Sequence, residues 1–356
     1  MSNFPLSVVG VGMISCLGEG AEINAAAMRC EYDGFQQTEF TQPFTQAIQI
    51  GAPIETDLSG IKKLSYMSTV VVKQAIAKLP KNYQGLTVLY CMPDNTIETF
   101  FNTNAALREI IAETFKKLPL GTLSKASNVF WQQRYGFISA LKQAQKLIHQ
   151  NKHEFVLIVT LDSLLSNAIL RKYGGELNAE NCRLLCEENS NGFIPGEAAT
   201  AILLSSPTIA DSEIIISGVG EGVENAAIDN EENVLTGSGL ANAINQASND
   251  AGVDIHKTHF RVSSVSGEDY FFKEAALAQI KTLKQKVSEQ PLWHPADNVG
   301  EVGAAIGGVI VIMAYYAFIK QYAPGNSALC QISNDNSLRG AFIMQYKPSK
   351  NFENEK

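Results

Sequence analysis

The side chains that most often carry chemistry are sparse and scattered in this chain. The six cysteines, Cys16, Cys30, Cys91, Cys182, Cys186 and Cys330, form no Cys-x-x-Cys pair. Cys182 and Cys186 are four apart and can share a helix face, but no second ligand pair follows to complete a zinc site. The histidines include no His-x-His or His-x-x-x-His pair. Free, buried thiols in a reducing cytoplasm are the expectation, with no metal and no cofactor. Gly10 and Gly12 close an apolar strand but do not complete the Gly-x-Gly-x-x-Gly dinucleotide fingerprint. Glu301 opens a long apolar run that Lys320 ends, an order of charges that suits a helix dipole.

That run is the element around which the others must be arranged. From Val302 to Ile319 no residue is charged. A helix apolar on every side lies either in lipid or in the middle of a core. Gly303, Gly307 and Gly308 crowd its first half, which suits close packing on other backbone. No positive flank and no second hydrophobic span accompany it. A buried helix without a membrane span is therefore expected.

The flanking segments alternate. Apolar strands are expected over 6–15, 86–92, 155–161 and 199–204. Helices are expected over 66–79, 105–118 and 137–149. The second half repeats this grammar, with strands over 213–220, 260–265, 328–332 and 340–346. Helices there are marked by Leu240, Ile244, Ala247 and Ala251, and by Ala276, Ile280, Leu283 and Val287. Such alternation implies an α/β fold with covered sheets. The boundary falls near Ser205-Ser-Pro207, giving halves 1–206 and 207–348 and a polar tail 349–356. A net charge of −8 with no basic run argues against nucleic acid or an anionic membrane as partner. The N-terminus shows no charged n-region of a secretory signal.

Four segments resemble the β-ketoacyl-acyl-carrier-protein synthases. Val8-Val-Gly-Val-Gly-Met-Ile-Ser-Cys-Leu-Gly18 is similar to their opening strand and turn. Asn191-Gly-Phe-Ile-Pro-Gly-Glu-Ala-Ala199 looks like their mid-chain Asp-Gly-Phe and Pro-Gly-Glu-Gly-Ala run. Asn298-Val-Gly-Glu-Val-Gly-Ala-Ala-Ile-Gly-Gly308 resembles their Gly-His-x-x-Gly-Ala-Ala-Gly helix, and Ser337-Leu-Arg-Gly-Ala-Phe-Ile-Met344 their last strand. The resemblance runs end to end. It implies the thiolase fold, a duplicated five-layer α-β-α-β-α architecture with buried central helices, and an obligate dimer.

The resemblance also says where catalytic residues should stand. The family nucleophile is a Cys at a helix start; registration places Gln133 or Arg134 there, and no Cys lies between Cys91 and Cys182. The two family histidines stabilise the oxyanion and the carbanion. Ser264 or Val265 holds the place of the first and Glu301 that of the second. Ala296 or Asp297 holds the place of a family lysine, and His294 is out of register. The family's glycine-rich turn at the acyl entrance reads Ser333-Asn-Asp-Asn336. Decarboxylating and chain-length-controlling relatives carry Gln for Cys but keep the histidines.

Two readings follow. In one, the chain is a non-condensing binding or scaffold subunit, paired with itself or with an active synthase, with acyl carrier protein as a possible further partner. In the other, it is an acyl-thioester-handling transferase, decarboxylase or thioesterase with relocated residues. Glu301 and Gln133 would then act, with Glu268 or Asp269 as second carboxylate. Arg134 would hold a phosphate or carboxylate, pair with Glu301, or lie at the surface. Ser127-Asn-Val-Phe-Trp131 is the expected two-fold edge strand.

Overall fold

The computed structural model describes residues 4–42, 46–81, 83–94, 103–118, 120–175, 181–187, 189–210, 212–230 and 232–348. The tail expected over 349–356 lies outside them. In chain order the first half contains β1 (Leu6–Ser15), β2 (Gly18–Glu19), α1 (Ala21–Arg29), β3 (Gln36–Thr41), β4 (Ile48–Gly51) and α2 (Gly60–Ala75). It continues with β5 (Thr87–Met92), α3 (Asn104–Lys116), β6 (Asn128–Trp131), α4 (Gly136–Gln145), β7 (Phe155–Ser163), α5 (Asn167–Tyr173) and β8 (Glu197–Ser205). The second half contains β9 (Ile214–Val223), α6 (Ser238–Ala251), β10 (Phe260–Ser263), α7 (Asp269–Thr282), β11 (Leu292–Trp293), α8 (Ala296–Val299), α9 (Ile306–Ile319), β12 (Ser327–Ser333) and β13 (Leu338–Tyr346).

The duplication is visible in the strand order. The first half runs β1-β8-β7-β5-β6 and the second β9-β13-β12-β10-β11. In both, the first strand pairs antiparallel with the last, the last antiparallel with the fourth, and the remaining two pairings are parallel. The halves share one sheet, because β1 bonds β9 through Leu6–Ile216 and Ser7–Ile215.

The layers pack through three hydrophobic cores. One lies outside the first half, where α2 covers alternate residues of β7 and β8 such as Leu157, Val159, Ala201 and Leu203, and α3 packs on α2. A second lies outside the other half under α6 and α7. The largest lies between the halves, where α4 and α9 each touch strands of both. The opposite residues of the same strands, Val156, Ile158, Ile202 and Leu204, face it. Strands covered on both faces explain why every residue of β7 and β8 is buried and why their sequences are mostly apolar.

α9 is the buried helix expected of the apolar run. Every residue from Ile306 to Ala314 is buried. Gly308 sits against β8, where a Cβ would meet Thr200 Oγ1 at 1.7 Å, so no larger residue allows this approach. Its fourteen residues span about 21 Å, short of the roughly 30 Å hydrocarbon layer. Among the described residues no helix is long and apolar enough to cross a membrane.

Several expectations need correction. α2 begins at Gly60, a full turn and more before 66. The face expected for α7 is the wrong one: Ile280 is 76% exposed, and the helix buries Phe271, Glu274, Ala275 and Ala278. A buried glutamate hides the true face from an apolar count. The hairpin β3–β4 and the helices α5 and α8 are too short to show a period, and α1 carries apolar residues on both its buried and its exposed sides.

Candidate functional site

The site forms where three connections converge between the halves: the turn from β6 into α4, the turn from α8 into α9, and the turn from β12 into β13. Gln133 opens a 3-10 turn ahead of α4 with φ of +50°. A left-handed glutamine costs about 1–3 kcal/mol, and such strain persists where the surroundings fix it. Gln133, one of the two positions that registration offers for the nucleophile, thus has a special backbone and carries an amide.

Arg134, the next residue, is 4% exposed and turns inward. Its Nε donates to Glu301 Oε1 at 3.1 Å, and its Nη2 lies 2.8 Å from Glu301 Oε2. Nη1 donates to Asp335 Oδ1 at 2.8 Å and to the Ser333 carbonyl at 3.3 Å. Arg183 completes the cluster. It grips Glu268 with Nε at 2.7 Å and Nη2 at 2.9 Å, and reaches Asp335 Oδ1 at 3.0 Å. Tyr173 donates its hydroxyl to Asp335 Oδ2 at 3.0 Å. Two guanidiniums thus face three carboxylates in a largely buried cluster, where unpaired charge is costly. Burial would raise Asp335, but the Arg134 and Arg183 guanidiniums outweigh it and hold the acid well below the usual carboxylate range. For Glu268 burial wins, and its carboxyl is raised despite Arg183.

The turn into α9 is held from below. Glu301 Oε1 accepts the Gly303 amide at 2.7 Å, and Asp162 Oδ2 accepts the Ala304 amide at 2.7 Å. Gly303 has φ of +52°, and a Cβ there would lie 2.0 Å from Asp162 Oδ2. Glycine is favoured on both counts: its φ is left-handed, and a larger residue would displace the Asp162 carboxylate from the Ala304 amide. Burial pushes Asp162 up to about 7; the amides of Ala304 and Ser163 oppose this, while the Glu301 and Asp94 carboxylates add to it. A cavity of about 40 Å³ remains between Gln133, Arg134, Asp162, Tyr173 and Glu301. That volume holds a few waters at most and no acyl chain.

The structure thus brings Gln133, Arg134 and Glu301 together. Arg134 is buried against Glu301, so the surface and free-anion readings of it fall away. Ser264 is buried beside them: its Oγ accepts the Ser333 amide at 3.0 Å, and so it supports the turn that presents the Ser333 carbonyl to Arg134. Val265 is 2% exposed and packs as core. Asp297 stays out of the cluster. Its side chain is 69% exposed and pairs with His294 at 3.0 Å on the outer face of α8. Glu268 is locked by Arg183, and Asp269 is exposed at the start of α7. Asp335, Tyr173, Arg183 and Asp162 were not foreseen as site residues. Asp335 sits inside Ser333-Asn-Asp-Asn336, and the replacement of a glycine-rich turn by a charged one was the available signal.

No family profile and no curated protein matches the sequence. Solved structures do match. One is the AntDE:AntF complex, a type II polyketide synthase acyl-carrier protein with its ketosynthase bound to the hexaketide. The TM-score is 0.77 at 13% identity, over 97% of this chain and 100% of that one. A β-ketoacyl synthase from Burkholderia phymatum STM815 matches with TM-score 0.73 at 13% identity, over 98% of this chain and 100% of that chain. The PfaC ketosynthase–chain length factor matches with TM-score 0.75 at 12% identity, over 98% of this chain and 43% of the longer one. This chain has the ketosynthase form of the thiolase fold.

Proposed function

We propose that this chain is a non-condensing subunit of ketosynthase fold that works by binding, not by carbon–carbon bond formation. The observation that carries the reading is the Arg134–Glu301–Asp335 cluster. It stands where registration expects a nucleophile and an oxyanion-binding histidine, and its one cation, Arg134, is taken up by Glu301 and Asp335. An amide at Gln133 supplies no nucleophile. Glu301 is held as the partner of Arg134: its Oε1 accepts from Arg134 Nε and the Gly303 amide, and its Oε2, which accepts no hydrogen bond, lies 2.8 Å from Arg134 Nη2 in the ion pair. The likeness to structures named as ketosynthase and chain length factor pairs supports a partner role.

The two halves, 1–206 and 207–348, act as one scaffold welded by this cluster. The partner is a second copy or an active synthase, met through β6. That strand ends the sheet, and its Val129, Phe130 and Trp131 are half-buried. Acyl carrier protein is engaged through the synthase. The free thiols suit the cytoplasm. Titration with a pantetheine thioester of a fluorescent fatty acid, followed by anisotropy, tests the reading. No saturable binding to the isolated chain is expected. Saturable binding that Arg134→Met abolishes would overturn it.

A further inference from the structure

The hairpin β3–β4 lies apart from the main sheet, and its sequence pattern is inverted. In β4, Gln49 is 1% exposed while Ile48 and Ile50 are 50% and 38% exposed. The inversion leaves Gln49 Oε1 buried without a partner. A two-residue period places both isoleucines on one face, and that face is bare. Two strands alone are marginal in water; a third strand paired at an edge, or packing against a helix, is the usual remedy.

The space for a third strand is present. A groove of about 730 Å³ runs beside β3 and is lined by residues 36–40 in unbroken succession. The face of a strand presents alternate residues to a neighbour, whereas its edge presents consecutive ones. The groove therefore follows the β3 edge. Among the described residues β3 pairs with β4 alone. It holds no proline and no lysine, and its register against β4 shifts between Gln37 and Thr41, so an added strand must follow a bulged edge. The opposite wall is formed by 53–56, 58–60 and the start of α5, with Ile54, Leu64 and Leu165 supplying apolar contacts.

Charge selects the occupant. Glu39 and Glu55 both line the groove and are exposed. The lysine that lines it, Lys63, is already paired with buried Glu197 at 2.5 Å. The groove is thus left with two uncompensated carboxylates at its mouth. We propose that it takes an extended peptide segment with basic side chains, which adds to β3 as a third strand. Five strand residues span about 17 Å, so a segment of five to seven residues fills it. Main-chain bonds to the β3 edge give affinity; apolar contacts and the two glutamates give preference.

Selection of a displayed library of random seven-residue linear peptides against the full chain tests this. The enriched sequences should carry lysine or arginine. The best of them, synthesised, should bind at least tenfold more tightly than its counterpart with glutamate at the basic positions. It should also slow amide exchange over residues 36–40 by tenfold or more. The surface variant Glu39→Lys/Glu55→Lys should reverse the preference between the two peptides. Failure to enrich any sequence, protection confined to another part of the chain, or a preference unchanged in the charge-reversed variant would each overturn the proposal. Concentration-dependent protection of 36–40 without peptide would overturn it too, by assigning the edge to a second copy of the chain.

Discussion

Replacing Arg134 with methionine probes the cluster most sharply. Methionine keeps much of the length and volume but removes the charge and all the donors. Glu301, with a side chain 1% exposed, then loses its guanidinium and keeps only the Gly303 amide. Asp335 loses one of its two arginines but retains Arg183 at 3.0 Å. Stranding a buried carboxylate costs about 3–5 kcal/mol, a large part of the roughly 5–15 kcal/mol by which folded domains are stable. Glu301→Gln in the same chain replaces the stranded charge with a neutral amide of similar shape. The double variant should therefore recover more than half of the loss, a non-additivity of about 1.5–3 kcal/mol. Urea unfolding of the parent, both single variants and the double variant measures this directly. An Arg134→Met cost below about 1 kcal/mol, or strictly additive single costs, would refute the claim that the pair is buried and mutually dependent.

Asp162 gives a pH signature. Burial lifts it to about 7 in the folded chain, against about 3.9 in an unfolded one. The folded state therefore holds a proton that the unfolded state has released, and stability falls as pH rises from about 4 to 7. Asp162→Asn should remove that slope in denaturant midpoints, and an unchanged slope would contradict the assignment. Asp335, held low, acts in the opposite sense on the acid side: its stabilisation is present above about pH 4 and is lost as pH falls further. Trp131→Glu on β6 should convert a dimer to a monomer in light scattering across a dilution series, because it places a charge on a self-complementary edge; a parent monomeric at high concentration would rule out that edge as the contact.

The legible parts of the fold were those whose burial is uniform. β7, β8 and most of α9 are buried on every side because layers cover both faces, so their sequences are dominated by apolar residues without a period. The elements that escaped are those whose buried positions are polar. Glu274 lies on the inner face of α7 because Arg339 and Ser333 meet it there, at 2.6 and 2.5 Å, and Gln49 lies inward in β4. The site divides in the same way. Registration brought Gln133, Arg134 and Glu301 to one place because each sits in a segment with a recognisable pattern. Asp162, Tyr173, Arg183 and Asp335 come from loops and element ends with no period, and only the folded chain brings them within reach of one another. Asp297 was misplaced because α8 is a single turn, in which a shift of one residue moves a side chain from the buried face of Asn298 to solvent.

The central claim is that no residue of this chain forms a thioester with an acyl group. Burial raises the Cys91 and Cys330 thiols and pushes Cys16 up to about 12, so none of these three is poised as a thiolate. Intact mass after incubation with malonyl and long-chain acyl thioesters tests the claim directly. The account predicts an unchanged mass. A stoichiometric acyl adduct on any cysteine would contradict it.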